Sequence, residues 1–191
     1  KRVFSRKRTL MKFPFDPSWT LFLDRDGVIN KRIMGGYVSS PEEFHFEKGV
    51  PEAIAIFRKH FKYIVVITNQ QCIAKNIVTI RNLREIHRYM QGKLLEQGSF
   101  VDAVYFASEL ASDPKNTRKP KPFLALEAKK DFPDIDFNKS LMVGDTDSDI
   151  QFGENLGMKT ALIRTEEKTN RKADWQFDSL LDLALELKKK I

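Results

Sequence analysis

Leu21-Phe22-Leu23-Asp24-Arg25-Asp26-Gly27-Val28-Ile29-Asn30 joins an apolar run to an abrupt charged turn. Trp19 to Leu23 has the length and aromatic content of a buried strand. It ends in two aspartates that flank one arginine and lead into a glycine. Carboxylates two residues apart at the end of such a strand repel one another and resist leaving water. A solvated turn would relieve them, and so would a cation held between them. Glycine then lets the backbone leave the strand sharply.

Outward from this stretch, strands and helices alternate. Lys31 to Lys48 carries Gly35, Gly36 and Pro41 without helical period. So long a loop, placed directly after the aspartates, is expected to fold over them as a flap. Val50, Ile54 and Phe57 form the stripe of a helix that tolerates Pro51 in its first turn and runs to about His60. Tyr63 to Ile67 reads as a second strand, closing in Thr68-Asn69-Gln70-Gln71. Thr79 caps a longer helix whose stripe is Ile80, Leu83, Ile86, Met90 and Leu94, ending by Gly98. Asp102 to Ala107 is a third strand, and a polar loop leads to Arg118-Lys119-Pro120-Lys121-Pro122 and a helix over Phe123 to Lys130. Leu141 to Gly144 is a fourth strand, and Asp145-Thr146-Asp147-Ser148-Asp149 opens a helix to about Leu156, where Gly157 stops it. Lys159 to Ile163 and Trp175 to Phe177 read as strands five and six, before a last helix capped by Ser179.

Sequential strands joined by helices lie parallel, with right-handed crossovers. The expected fold is therefore α/β, an open doubly wound parallel sheet with helices on both faces. Ligands in such sheets bind beyond the carboxyl ends of the strands. The polar clusters at Asp24, Thr68, Lys119 and Asp145 all fall there.

Composition sets further bounds. The 191 residues suit one domain, divided here into a basic extension over 1–18 and a domain over 19–191. No apolar run approaches 18 residues, and the basic amino end is not followed by a signal-like apolar stretch, so no membrane span and a cytoplasmic location are expected. A single cysteine, Cys72, excludes an internal disulfide and a cysteine-rich zinc site. The net charge of +7 is terminal: removing Lys1, Arg2, Arg6, Lys7, Arg8, Lys12 and Lys188 to Lys190 from the 33 Lys and Arg leaves 24, against 26 acidic residues. A solvated tail is expected rather than a nucleic-acid arm, because no binding module interleaves aromatic and basic residues. Phe4, Leu10, Phe13 and Phe15, with Pro14 and Pro17, suit an extended strap.

Transfer of a phosphoryl group to a protein needs an oxygen nucleophile, a proton donor, a divalent cation and fixed positive charge. Asp24-Arg25-Asp26-Gly27-Val28-Ile29-Asn30, followed by Gly36-Tyr37-Val38, resembles the nucleophile motif of the haloacid dehalogenase (HAD) superfamily. More narrowly it is similar to the branch of histidinol-phosphate phosphatase and D-glycero-D-manno-heptose-1,7-bisphosphate 7-phosphatase. The resemblance runs from Trp19 to about Leu187.

It implies a HAD-like Rossmannoid fold and a role for each cluster. Asp24 would be the nucleophile, forming an aspartyl-phosphate. Asp26 would protonate the leaving alcohol and then activate water, which asks for a pKa above the usual value of about 4. Mg²⁺ would be held by Asp24, the Asp26 carbonyl and Asp145, with Asp149 as a further ligand or a partner; Asp147 is expected to face solvent or cap its helix. Thr68 and Lys119 would complete the catalytic set, and Asn69, Arg118 and Thr146 would contact substrate. The intervals from Asp24 to Thr68 and from Thr68 to Lys119 are already filled, so no cap domain is expected.

Departures from the family pattern are visible. Phe106 to Thr117 lacks the three cysteines and the histidine of the family's zinc loop. Cys72 and Phe123 stand where glycines are usual, and Thr146 stands where the heptose enzymes have lysine. The expected activity is a Mg²⁺-dependent phosphatase, acting as a monomer on a sugar phosphate and most closely on the 7-phosphate of a heptose bisphosphate. Histidinol phosphate, a polynucleotide 3′-phosphate and noncatalytic phosphate binding are the alternatives.

Overall fold

The computed structural model describes residues 13–189; the basic cluster of the first twelve residues, with Phe4 and Leu10, lies outside the described residues, as does Lys190. The chain forms β1 (Thr20–Leu23), α1 (Val50–Phe57), β2 (Tyr63–Asn69), α2 (Ile80–Glu96), β3 (Ala103–Ala107) and α3 (Phe123–Asp131). It continues through β4 (Ser140–Gly144), α4 (Asp147–Asn155), β5 (Lys159–Ile163), β6 (Trp175–Phe177) and α5 (Leu180–Lys188). All six strands are parallel, in the order β3-β2-β1-β4-β5-β6. The expected architecture is thus the observed one.

Side-chain alternation sorts the core into two layers. Leu21, Leu23, Ile64, Val66, Leu141 and Val143 point to the face covered by α1, α2 and α5. Phe22, Val65, Ile67 and Met142 point to the other face, against Leu124 and Ala128 of α3 and Phe152 of α4. Coverage on both faces is why β1 and β4 are buried at every residue and read as continuous apolar runs. Each large side chain closed off this way contributes about 1.5–3 kcal/mol.

Local chemistry places the helices. Thr79 Oγ1 accepts from Asn82 N at 3.1 Å, capping α2, and Leu83, Ile86, Met90 and Leu94 are buried beneath it. Ile80, expected in that stripe, is exposed: it opens the helix, a turn short of the core. Ser179 caps α5 in the same manner, through Asp182 N.

The register defines the functional edge. Leu23 is level with Val66 on one side and Val143 on the other, so Asp24, Thr68 and Asp145 emerge from neighbouring strand ends. The strand order reverses between β1 and β4, which opens a crevice there. The connection over 31–48 is tied back by Lys31 N to His45 O at 2.8 Å and Glu47 N to Ile29 O at 2.9 Å, and it contains a single 3-10 turn at Pro41–Glu43. Neither crossover that flanks β2 carries an inserted domain.

The last residues of the amino-terminal extension lie on the opposite edge. Phe15 packs on Trp19, Phe61 and Trp175, at ring separations of 4.9, 5.5 and 5.4 Å, and Phe13 packs on Trp175 at 5.2 Å. Trp19, Phe61 and Trp175 stand at the amino ends of β1, β2 and β6.

Candidate active site

A cavity of about 210 Å³ opens at the β1/β4 crevice, and Asp24, Asp26, Thr68, Asn69, Arg118, Lys119, Thr146 and Asp149 all line it. Residues distant in sequence therefore converge as expected. Asp145 is not in the lining; it is 1% exposed just behind, with Arg32 against it.

Lys119 stands at the centre. Its Nζ lies 2.8 Å from Asp24 Oδ1 and 2.6 Å from Asp149 Oδ1, and it donates to Ile67 O at 2.8 Å. The loop that carries it is held by Asn69, whose Oδ1 accepts from Lys119 N at 3.0 Å and whose Nδ2 donates to Lys119 O at 3.2 Å. Asn69 thus fastens the lysine as well as facing the cavity. Thr68 Oγ1, at the end of β2, accepts from Gln70 Nε2 at 2.8 Å. Arg118 is half-buried, and its Nη1 donates to Glu109 O at 3.3 Å.

The acidic residues after β4 divide the work. Asp149 Oδ2 accepts from Thr146 N at 3.0 Å and Thr146 Oγ1 at 2.6 Å, closing the first turn of α4. Gly144 makes this possible: a Cβ there would fall 2.1 Å from Asp149 Cβ. Asp147, expected to face solvent or cap the helix, instead accepts from Asn170 N and Arg171 N, both at 2.9 Å, and pins the segment between β5 and β6. Its position in the sequence does not decide its role; two backbone amides within reach do.

Burial and crowding shift the carboxyls. Asp24 is pushed up to about 7, chiefly by burial, with Lys119 opposing and Asp149 and Asp145 adding to the rise. Asp145 is pushed up to about 6, again by burial first, against the pull of Arg32. Asp26 moves the other way from expectation. Burial works to raise it, but Arg25, Asn30 and Gln70 outweigh that and hold its carboxyl below the usual range. Arg25 Nη2 donates to both oxygens at 2.9 and 3.0 Å, Asn30 Nδ2 to one at 2.9 Å and Gln70 Nε2 to the other at 2.7 Å. Arg25 is in turn fully buried with its Nη1 3.1 Å from His87 Nε2. Burial, then the charge of Arg25, push His87 down to about 3, so the imidazole is neutral and accepts from the guanidinium.

Arg25, Asn30 and Gln70 lie in the quoted stretches but carry no role in the sequence pattern, and His87 and Arg32 lie outside them. Arg25 offered a signal, a cation between two aspartates just past a buried strand. His87 offered none, being 62 residues away on the flank of α2.

Asp24, Asp145 and Asp149 present carboxylate oxygens within 4.8 Å of one another, the only such cluster of His, Cys, Asp and Glu among the described residues. Three buried carboxylates face Lys119 and Arg32, and burial first, then their mutual repulsion, raises two of them. Hard oxygen donors in this cluster fit a divalent cation such as Mg²⁺. All three carboxylates already have cationic or hydroxyl partners: Lys119 on Asp24 and Asp149, Thr146 on Asp149, and Arg32 on Asp145.

Residues 116–183 match the HAD-hydrolase-like family. The chain is 33% identical over 171 residues to the D-glycero-alpha-D-manno-heptose-1,7-bisphosphate 7-phosphatase of Mycobacterium bovis, covering 87% of this chain and 90% of the relative. It belongs to the HAD-like hydrolases. Among these, the D-glycero-beta-D-manno-heptose-1,7-bisphosphate 7-phosphatase of Helicobacter pylori is 36% identical over 156 residues, covering 81% of this chain and 88% of that one. The structure of D,D-heptose 1,7-bisphosphate phosphatase from B. bronchiseptica, complexed with magnesium and phosphate, superposes with a TM-score of 0.80 at 26% identity, covering 91% of this HAD chain and 99% of the other. No helix among the described residues is long and apolar enough to cross a membrane.

Proposed function

We propose that this chain is a Mg²⁺-dependent phosphomonoesterase that removes the 7-phosphate of D-glycero-D-manno-heptose 1,7-bisphosphate through an aspartyl-phosphate. The observation that carries it is the placement of Asp24 at the end of β1, 2.8 Å from Lys119 and next to Asp26, in a chain whose relatives bear that activity in their names.

In this proposal an Asp24 oxygen attacks phosphorus and the bond to the sugar oxygen breaks. Asp26 gives that oxygen its proton. Asp26 then takes a proton from water, which cleaves the acyl-phosphate and releases inorganic phosphate. Arg25, Asn30 and Gln70 favour the ionised form, the one needed for the second step. The first step requires a protonated Asp26, a form that the like charge of a bound phosphate dianion favours. Lys119 and Thr68 neutralise and bind phosphoryl oxygens, while Asn69 keeps Lys119 aligned. Arg118 and Thr146 meet the rest of the substrate at the cavity wall. Asp24, Asp145 and the Asp26 carbonyl would hold Mg²⁺, with Asp149 beside them, and the ion would supply charge neutralisation at the phosphoryl group.

We extend the proposal to a cytoplasmic monomer whose extension, 1–18, precedes a 19–191 catalytic domain and packs onto it from Phe13. The test is phosphate release, with Mg²⁺, from both anomers of the heptose bisphosphate, histidinol phosphate, nucleotides and 3′-phosphorylated DNA. The heptose bisphosphate is expected to be turned over with the highest kcat/KM; a higher value for the DNA or histidinol phosphate would overturn the assignment.

A further inference from the structure

Arg32 follows the β1 turn and reaches back into the site. Its Nη2 donates to Asp26 O at 2.8 Å and to Asp145 Oδ1 and Oδ2 at 2.8 and 3.0 Å. These acceptors are two of the three groups assigned above to Mg²⁺. Another anion within reach is Glu167, whose Oε1 is 3.8 Å from Arg32 Nε, an atom that is buried and makes no hydrogen bond. Arg32 and Glu167 also share the wall of a cavity of about 490 Å³ beside Gly27.

We propose that Arg32 is an internal cation that occupies the metal's position in the metal-free protein and withdraws toward Glu167 when the divalent ion enters. The inference rests on the metal-dependent reading above.

Mg²⁺ binds oxygen at about 2.0–2.1 Å and keeps an ordered octahedron of ligands. An oxygen committed that closely to a dication cannot also receive a guanidinium without bringing two like charges into contact. One of the two must leave, and only the arginine has a second partner already within reach. Until then the guanidinium, a weakly hydrated planar donor, satisfies both Asp145 oxygens and a backbone carbonyl that would otherwise crowd unscreened. Thr165 Oγ1, 3.2 Å from Asp145 Oδ2, keeps that carboxylate oriented through the exchange. The site is thereby assembled before the metal arrives, and the metal's affinity is reduced by whatever Arg32 contributes.

The test uses the full chain stripped of metal, without substrate. Mn²⁺ binding is followed by the loss of its free electron-spin-resonance signal, and thermal unfolding is recorded with and without saturating Mn²⁺. Arg32→Gln is expected to bind Mn²⁺ at least tenfold more tightly than the wild type, to unfold at lower temperature without metal, and to regain stability with it. Glu167→Gln is expected to bind severalfold more weakly, because the displaced arginine loses its destination; this variant leaves the hydrogen bonds of Arg32 to Asp26 and Asp145 intact and serves if Arg32→Gln does not fold. Equal or weaker binding by Arg32→Gln, or unchanged binding by Glu167→Gln, would overturn the exchange while leaving the phosphatase reading standing. Failure of the wild type and both variants to bind Mn²⁺ at millimolar concentration would overturn the two together.

Discussion

Replacing Asp24 by Asn should make the metal-free protein more stable at pH 8 while abolishing turnover. Asp24 is 6% exposed and its carboxyl is raised from 3.8 to about 7. That rise corresponds to about 4 kcal/mol, at about 1.36 kcal/mol per pH unit. Between about pH 4 and pH 7 the folded chain holds a proton that the unfolded chain has released, so wild-type stability falls as pH rises through that window. Above it the cost is complete. Asparagine is nearly isosteric, carries no charge and lacks this slope. Lys119 is not left bare, since it keeps Asp149 at 2.6 Å and Ile67 O at 2.8 Å. The Asp24→Asn variant should therefore match the wild type near pH 4 and exceed it by up to about 4 kcal/mol at pH 8. Urea unfolding with a chelator at several pH values measures the gap. Saturating Mg²⁺ should close it by stabilising the wild type alone. Equal stabilities at every pH, or a gap that narrows as pH rises, would refute the account of a carboxyl raised chiefly by burial beyond what Lys119 offsets.

Asp26→Asn should slow release of poor alcohol leaving groups and hydrolysis of the aspartyl-phosphate, and single-turnover kinetics with alkyl and aryl phosphates should show the aryl ester least affected in the first step. Gly144→Ala should lower stability by about 1–3 kcal/mol or more, because its Cβ meets Asp149 Cβ at 2.1 Å and that residue is fixed by Lys119; an unchanged melting temperature would mean α4 can shift freely. Deleting residues 1–8 should change turnover of the preferred sugar phosphate less than about threefold, roughly 0.7 kcal/mol, whereas Arg118→Ala should lose far more; steady-state kinetics reversing that order would point to a polyanionic substrate.

The parallel sheet was legible because its central strands are buried on both faces and its helices on one. Continuous apolar runs such as Leu141 to Val143 and striped ones such as Leu83 to Leu94 differ plainly in one dimension. The clusters beyond the strand ends were legible for the same reason: Asp24, Thr68 and Asp145 are polar where the apolar pattern breaks. Interactions that cross between elements were not. His87 meets Arg25 only because α2 lies under β1, and Arg32 meets Asp145 only because a loop folds back over 113 residues of sequence distance. The direction of the Asp26 shift escaped as well, since a neighbouring carboxylate suggests a rise while three donors that produce the fall come from Arg25, Asn30 and Gln70. Asp147 shows the limit for a single residue: spacing places it at a helix start, but its partners are amides of a distant turn.

The attachment of Phe15 to Trp19, Phe61 and Trp175 has a practical consequence. It brings the amino-terminal segment in at the sheet edge farthest from Asp24, so a chain tethered to a surface through that segment would hold its catalytic crevice toward the solution. Fusion partners, affinity handles or immobilisation chemistry placed there would leave substrate access untouched. The same handles installed in the 31–48 connection, which carries Arg32 and Tyr37 to the cavity wall, would close the crevice instead.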